Sequence, residues 1–304
     1  MPIISVYNNK GGEGKSTVTI GLAEFLAARK DQKVLVIDLD AQASSSCALL
    51  GQETLRDAVP GGQTVSQLIS EIRRKRRPIA KLDRFMIWRP ATDAKNSALS
   101  EIAVMVPDGS RMFDIEDSLN WKKDHSLFQK YLRPALAEFD YVLLDLPANV
   151  SKGTLISING LVMSDFVVIP VRPTRISLSG LPRTFETIDY VQTRTGDGRP
   201  AVLGLIRNAT DRRYQQYKAN FPEIEAASLS RELPPVFDNL WPPSPAMESA
   251  TDASRVCETL KDRFGKSYDH ARKVARELER RCADFDITET KSPRRSIWER
   301  LGLA

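Results

Sequence analysis

After a short apolar run the chain reads Asn9-Lys10-Gly11-Gly12-Glu13-Gly14-Lys15-Ser16-Thr17, a grouping suited to holding phosphate. Glycines at Gly11, Gly12 and Gly14 let backbone N–H groups turn inward around phosphate oxygens. A helix beginning at the end of the run adds the partial positive charge of its N-terminus. Lys15 is placed to bridge the β- and γ-phosphates of a nucleotide, and the Ser16 hydroxyl to ligate Mg2+. Two further apolar runs end in carboxylates. One is Lys33-Val34-Leu35-Val36-Ile37-Asp38-Leu39-Asp40, and the other is Tyr141-Val142-Leu143-Leu144-Asp145, followed by Leu146-Pro147. In a parallel sheet the C-terminal strand ends lie on the edge where ligands bind. Asp38 or Asp40 could there orient an attacking water or a metal-bound water, and Asp145 could hold Mg2+ through a water. The bland alternatives are a ligand-free glycine turn and carboxylates serving as helix caps. The order strand, Gly-Lys-Ser-Thr, helix argues against them.

Elements that could position these groups recur along the first two-thirds of the chain. Strand candidates are Ile3–Tyr7, Val34–Asp38, Ala103–Val106, Tyr141–Asp145, Phe166–Val171 and Val202–Ile206. Their apolar runs lack in/out alternation, as strands covered on both faces do. Ser16–Arg29 carries Ile20, Leu22, Ala23, Leu26 and Ala27, the pattern of an amphipathic helix. Strands alternating with helices imply an α/β fold. Its sheet is expected to be doubly wound and mostly parallel, about seven or eight strands with helices on both faces, plus a C-terminal helical extension. Two stretches fit this pattern poorly. The polar segment from about residue 73 to 96, with Arg73-Arg74-Lys75-Arg76-Arg77-Pro78, reads as an exposed insertion or a basic helix end. Leu233-Pro234-Pro235 through Trp241-Pro242-Pro243-Ser244-Pro245 must be loop. Asp252–Asp284 reads as one long helix or two consecutive ones, and the last 15 residues as a polar tail. The expected divisions are an ATPase domain over 1–252, a helical extension over 253–290 and an amphipathic tail over 291–304.

Composition bounds the rest. The 304 residues are 41% hydrophobic and 27% charged, which excludes collagen-like, wholly disordered and disulfide-scaffold chains. No apolar run approaches the roughly 20 residues of a membrane span, and the N-terminus lacks signal-peptide character. Cys47, Cys257 and Cys282 are far apart and odd in number. They fit a reducing cytosol and exclude a CxxC metal or cluster site. Of the net charge of +5, a surplus of +4 lies from residue 254 onward, with 13 basic and 9 acidic residues.

Taken together, the motifs resemble one family. Lys10-Gly11-Gly12-Glu13-Gly14-Lys15-Ser16 is similar to the deviant Walker A motif (KGGxGK[ST]) of the ParA/MinD group of P-loop ATPases. Asp38-Leu39-Asp40-Ala41-Gln42 resembles that group's DxDPQ, and Asp145-Leu146-Pro147 its DxP. Val168–Pro173 with Ser179-Gly180-Leu181, and Leu203–Asn208, resemble its later strand segments. The likeness is closest to ParA-type DNA-partition ATPases and covers roughly residues 2–252.

This resemblance implies a cytoplasmic, Mg2+-dependent ATPase that hydrolyses ATP slowly and forms an ATP-bound homodimer. Lys10 would reach across that dimer to the partner's nucleotide. Lys15 would bind phosphate, Ser16 the Mg2+, Thr17 the α-phosphate and Asp40 the attacking water, with Lys10, Lys15 and Asp40 as the catalytic set. Asp145 would support the metal through a water, and Asn208 would lie near the base. The resemblance further implies non-specific DNA binding, association with the nucleoid and stimulation by a small ParB-like partner, so that a plasmid, chromosome locus or other cargo is positioned. Arg212, Arg213, Lys266, Arg272, Lys273, Arg276 and Arg280 would form the DNA face, several of them at helical spacing.

Departures from the pattern are Glu13, a carboxylate that repels phosphate unless it points away, and Ala41 in place of proline. Leu233-Pro234-Pro235-Val236 stands where a basic residue is expected. No winged-helix DNA reader precedes the ATPase motifs. The alternative is a MinD-like ATPase bound to membrane through residues 294–303, where Ile297, Trp298 and Leu301 could share one side. Docking of that tail on a partner or on the protein's own body is the simpler expectation. A nitrogenase-reductase-like cluster carrier would need paired cysteines, which the chain lacks.

Overall fold

The computed structural model describes residues 1–92, 99–148, 155–243, 257–285 and 293–303. Seven strands form one sheet: β1 Ile3–Val6, β2 Val34–Asp38, β3 Ile87–Arg89, β4 Ile102–Met105, β5 Tyr141–Asp145, β6 Phe166–Val171 and β7 Ala201–Arg207. Their order is β3-β4-β2-β5-β1-β6-β7, and every neighbouring pair is parallel except β3 with β4. Side chains of a strand alternate between faces. Here both faces are cores: Leu35 and Ile37 of β2 enter one, Val34 and Val36 the other. That double burial is why the strands read as continuous apolar runs.

The helices of the first half are α1 Lys15–Ala27, α2 Ser44–Leu50, α3 Gln52–Ala58, α4 Val65–Lys75, α5 Gly109–Ser118 and α6 Trp121–Asp124. Those of the second half are α7 Leu155–Met163, α8 Arg175–Leu178, α9 Leu181–Thr195, α10 Gln215–Asn220, α11 Pro222–Leu229, α12 Leu260–Phe264, α13 Tyr268–Ala283 and α14 Arg295–Arg300. One face of the sheet carries α4, α5, α7 and α9; the other carries α1, α2, α12 and α13.

Helix α1 differs from the amphipathic helix its spacing suggested. From Val18 to Ala27 every residue is buried, because α13 covers the side turned away from the sheet. A helix apolar all round is a buried helix. Its one carboxylate, Glu24, is wholly buried and accepts from Arg89 of β3 (Nη2, 2.8 Å), with the Arg263 guanidinium of α12 3.2 Å away. Three distant segments are thereby joined by a buried charge cluster, which is costly to break at one partner.

Of the two readings of the segment from about residue 73 to 96, the basic helix end holds at its start. Basic residues end α4, where Arg76 turns into left-handed backbone (φ 49°). Ile79, Leu82, Phe85 and Met86 are then buried on the way into the antiparallel edge strand β3; residues 93–96 lie outside the described residues. Of the two readings of 252–284, two consecutive helices are found from 260 onward: Gly265 (φ 49°) ends α12 and a short 3-10 turn leads into α13, while residues 252–256 lie outside the described residues. The tail docks on the protein's own body. Ile297, Trp298, Leu301 and Leu303 are buried in the core containing α9, with the Trp298 ring stacked 5.5 Å from Phe185. Arg175 donates to the Gly302 carbonyl (2.6 Å), and Arg300 pairs with Glu232.

Candidate active site

At the C-terminal edge of the sheet, register places Asp145 opposite both Val6 and Asp38. The two carboxylates therefore stand beside the point where β1 opens into the loop Tyr7–Gly14. Gly12 (φ 80°) and Gly14 (φ 85°) hold left-handed backbone, which side chains disfavour. A β-carbon on Gly14 would lie 1.9 Å from Asn208 Nδ2, so glycine is required there twice over. Asn208, at the end of β7, donates from Nδ2 to the Glu13 carbonyl (2.8 Å). Buried Asn8 donates to the Pro170 carbonyl (2.8 Å) and accepts from the Lys10 N–H (2.9 Å) and the Thr184 hydroxyl (3.2 Å). The loop is thus fixed from β6, β7 and α9 before any ligand arrives.

Lys15 is buried at the first turn of α1, with Nζ 3.4 Å from the Lys10 carbonyl. Burial lowers its pKa, while Asp145, Asp40 and Glu13 oppose that shift. Thr17 and Ser16 follow on the same turn, partly exposed. Asp38 is buried, yet it is occupied: its Oδ2 accepts from the Ser46 N–H (3.0 Å) and hydroxyl (2.7 Å), and Oδ1 from the Asp40 N–H (3.1 Å). Asp38 thus serves the start of α2. Asp40 lies partly exposed at the rim, its carboxylate accepting from the Gln42 N–H (3.0 Å).

Asp145 is different. It is buried, and neither carboxylate oxygen has a hydrogen-bond partner. Burial pushes its pKa up to about 7, with the neighbouring Asp38 adding to the shift while the nearby Ser16 and Ser45 hydroxyls and Lys15 oppose it, and burial likewise raises Asp38 to about 6. Two buried carboxylates side by side do not both ionise without a cation. Buried groups without partners are rare in native folds, and this one faces the loop that carries Lys15 and Ser16. Among the described residues no cluster of three or more His, Cys, Asp or Glu could hold a metal. A divalent ion here would take Asp145, the Ser16 hydroxyl, water and ligand oxygens, the mixed oxygen set that Mg2+ accepts.

Two side chains of the loop are tied to the residues that follow β6. Glu13 is buried and accepts through Oε2 from the Arg172 N–H (3.0 Å) and from the Ser177 hydroxyl. Lys10, expected to reach the partner's nucleotide in an ATP-bound dimer, donates its ammonium in this single chain to the Ile176 carbonyl.

The family model described as an AAA domain matches residues 1–198. The chain belongs to the ParA/MinD-type P-loop ATPases. A relative within this family, the chromosome partitioning protein ParA of Myxococcus xanthus, is 31% identical over 196 residues, covering 62% of this chain and 59% of that protein. The match therefore spans about three-fifths of that relative. Among solved structures, the cell division ATPase MinD of Pyrococcus furiosus superposes with a TM-score of 0.63 at 21% identity, covering 92% of this chain and 98% of MinD. Cobyrinic acid a,c-diamide synthase from Mycobacterium smegmatis, solved with an ATP analogue and magnesium, gives 0.66 at 18% identity, covering 93% and 96%. Both share the fold.

The basic residues proposed from sequence for a DNA face are unevenly free. Lys266, Lys273 and Arg276 are exposed and have no ion pair among the described residues, and Arg212 is exposed as well. Arg213 is paired with Asp211 (2.6 Å), Arg272 with Asp269 (2.8 Å), and Arg280 lies 3.5 Å from Asp238. Arg213 holds the Asp211 carboxyl below the usual carboxylate range, and His270 adds to it. Arg281 of the same helix is structural. It donates to the Leu203 (2.8 Å) and Val236 (2.9 Å) carbonyls and pairs with buried Glu277. Among the described residues no helix is long and apolar enough to cross a membrane.

Several site residues escaped sequence reasoning. Asn8 abuts the glycine motif and carried a signal by adjacency. Thr184 and Ser177 carried none, because β6 and α9 reach the loop only through the sheet order.

Proposed function

We propose that this protein is a Mg2+-dependent ATPase that dimerises around ATP, binds DNA without sequence preference and positions a DNA or other cargo. The observation that carries this reading is the unpartnered, buried Asp145 beside a loop already shaped for phosphates. Mg–ATP would bring a divalent cation to that carboxylate together with the phosphate oxygens that Lys15 would meet. Bound Mg2+ would neutralise the Asp38–Asp145 pair and the charge developing on the transferred phosphoryl group. Lys15 and the α1 N-terminus would hold the phosphates, Ser16 would hold the ion with Asp145 supporting it through a water, and Asp40 at the rim would orient the attacking water. Asn208, which braces the loop from β7, borders the space for the base. Lys10 supplies its charge to the partner protomer's nucleotide, which couples dimerisation to hydrolysis. A small ParB-like protein stimulates that step and so releases the dimer from nucleoid DNA.

Lys266, Lys273, Arg276 and Arg212 are the stronger part of the DNA face, because their charges are free to meet phosphate. Arg213, Arg272 and Arg280 contribute less, since an acidic neighbour competes for each. Turnover and dimer mass with ATP test the reading. Lys15→Ala is expected to abolish nucleotide binding, and Asp40→Ala to bind ATP and remain dimeric without turnover. Normal turnover in Asp40→Ala would remove Asp40 from its assigned role. ATP binding by the parent chain that is indifferent to Mg2+ would overturn the metal assignment.

A further inference from the structure

Glu13 is a buried carboxylate in the phosphate loop, 3% exposed, and the proposed chemistry gives it nothing to do. Its hydrogen bonds converge on one oxygen. Oε2 accepts from the Arg172 N–H (3.0 Å) and from the Ser177 hydroxyl, while that same hydroxyl oxygen accepts from the Arg172 N–H (3.0 Å). These three groups form a closed clamp between the loop and the residues that follow β6. The clamp grips α8, which has four residues. One turn of helix does not hold itself. Its other ties are the burial of Leu178 in the core, the Thr174 side-chain cap (3.1 Å to the Ser177 N–H), the Leu178 N–H bond to the Thr174 carbonyl (2.9 Å) and the Arg175 bond to Gly302 of the tail.

What α8 carries is the Ile176 carbonyl, which receives the Lys10 ammonium. The Lys10 stem runs along Gly180, where a β-carbon would lie 3.4 Å from Lys10 Cβ and Cδ. Lys10 and Glu13 thus belong to one loop and both anchor on α8, one by its ammonium and the other by its carboxylate.

We infer that Glu13 is a positioning residue. By fixing α8 against the phosphate loop it keeps the Ile176 carbonyl in place and holds Lys10 folded back on its own protomer. Lys10 is then not free to serve a second copy of the chain until the clamp or the Lys10–Ile176 bond opens. The role needs a hydrogen-bond acceptor and not a charge, because both donors meet a single oxygen that a glutamine amide can replace. That the released lysine serves a partner's nucleotide rests on the function proposed above. That Glu13 holds Lys10 does not.

The test uses the full chain without nucleotide and measures the acetylation rate of Lys10 by an amine-reactive acetyl ester, read by mass spectrometry against exposed Lys30. Glu13→Ala is expected to raise the Lys10 rate about fivefold or more, the factor equivalent to one net hydrogen bond. Glu13→Gln is expected to stay within about twofold of the parent. An unchanged Lys10 rate in Glu13→Ala, or Glu13→Gln matching Glu13→Ala, would overturn the proposal. Thermal melts identify an unfolded variant, and if Glu13→Ala fails to fold, Ser177→Ala removes one donor and is expected to raise the rate by a smaller factor.

With a non-hydrolysable ATP analogue, Glu13→Ala is expected to dimerise at lower nucleotide concentration than the parent, and the shift is expected to vanish in a Lys10→Ala background. A shift that persists in that background would mean that Glu13 acts on dimerisation without Lys10. A parent chain that never dimerises would defeat the functional reading, while the acetylation ratio would still decide the role of Glu13.

Discussion

Asp145 sets the site's dependence on protons and metal. Its folded-state pKa of about 7 lies above the ordinary aspartate value near 3.9. The folded protein therefore binds this proton more tightly than the unfolded chain does. The benefit is complete below about pH 4 and is lost as pH rises to about 7. Asp145→Asn has no such proton, so in metal-free buffer it should gain stability relative to the parent as pH rises through that window. The gain should be on the order of a few kcal/mol and level off above it. Denaturant melts from pH 4 to 8 measure the difference; a gap that does not change with pH would show that the pair is not strained. Adding Mg–ATP should stabilise the parent and not the variant. The glycines and Lys15 were legible as a candidate site because a phosphate loop is a local arrangement, and Asp145 because an apolar strand ends on it. The direction of Glu13 was not, because its partners Arg172 and Ser177 lie 159 and 164 residues away and come close only through the β1–β6 pairing.

Among the elements, the tail helix α14 makes the sharpest claim. Trp298 is buried on Phe185, and replacing it with alanine should cost about 3 kcal/mol by cavity formation and lost contacts. Denaturant unfolding of Trp298→Ala reads that cost, and a loss under about 0.5 kcal/mol would mean that the docked tail adds nothing to stability. The same burial predicts that the intact chain does not sediment with anionic liposomes, since the residues a membrane would take are already covered. Co-sedimentation by the intact chain would show that the tail undocks. Strand β3 was illegible for a physical reason. It is a three-residue edge strand whose Arg89 is buried against Glu24, and a charge in the core reads as surface to any hydropathy argument. The sequence left open whether this stretch is one helix or two, because apolar spacing continues across Gly265 from Leu260 and Phe264 to Ala271, Val274 and Leu278.

At the scale of the whole molecule, α13 lies on the layer that covers α1, opposite the layer that receives the tail. If α13 meets DNA through phosphates, the affinity should fall steeply with salt, and each free cation removed should reduce the slope of log affinity against log salt by about one. Lys266→Ala, Lys273→Ala and Arg276→Ala should each show this, and Arg272→Ala and Arg280→Ala less. Salt-titrated binding with ATP measures it, and equal slopes for parent and variants would move the DNA face elsewhere. The layered α/β architecture was legible because doubly buried strands have a distinctive composition; the strand order was not, since register and neighbours are settled by packing.

One further contact bears on how the molecule reports on itself. Trp241 bridges to Asn208 and lies over α1 at Gly21, where a β-carbon would sit 1.9 Å from the ring. Its indole is 1% exposed, fixed between the helix that starts at the phosphates and the strand end that braces Gly14. Any displacement of the loop on nucleotide binding is therefore delivered to a native fluorophore. With Trp88, Trp121 and Trp298 replaced, the emission of this one ring would follow occupancy of the site in real time, without a label.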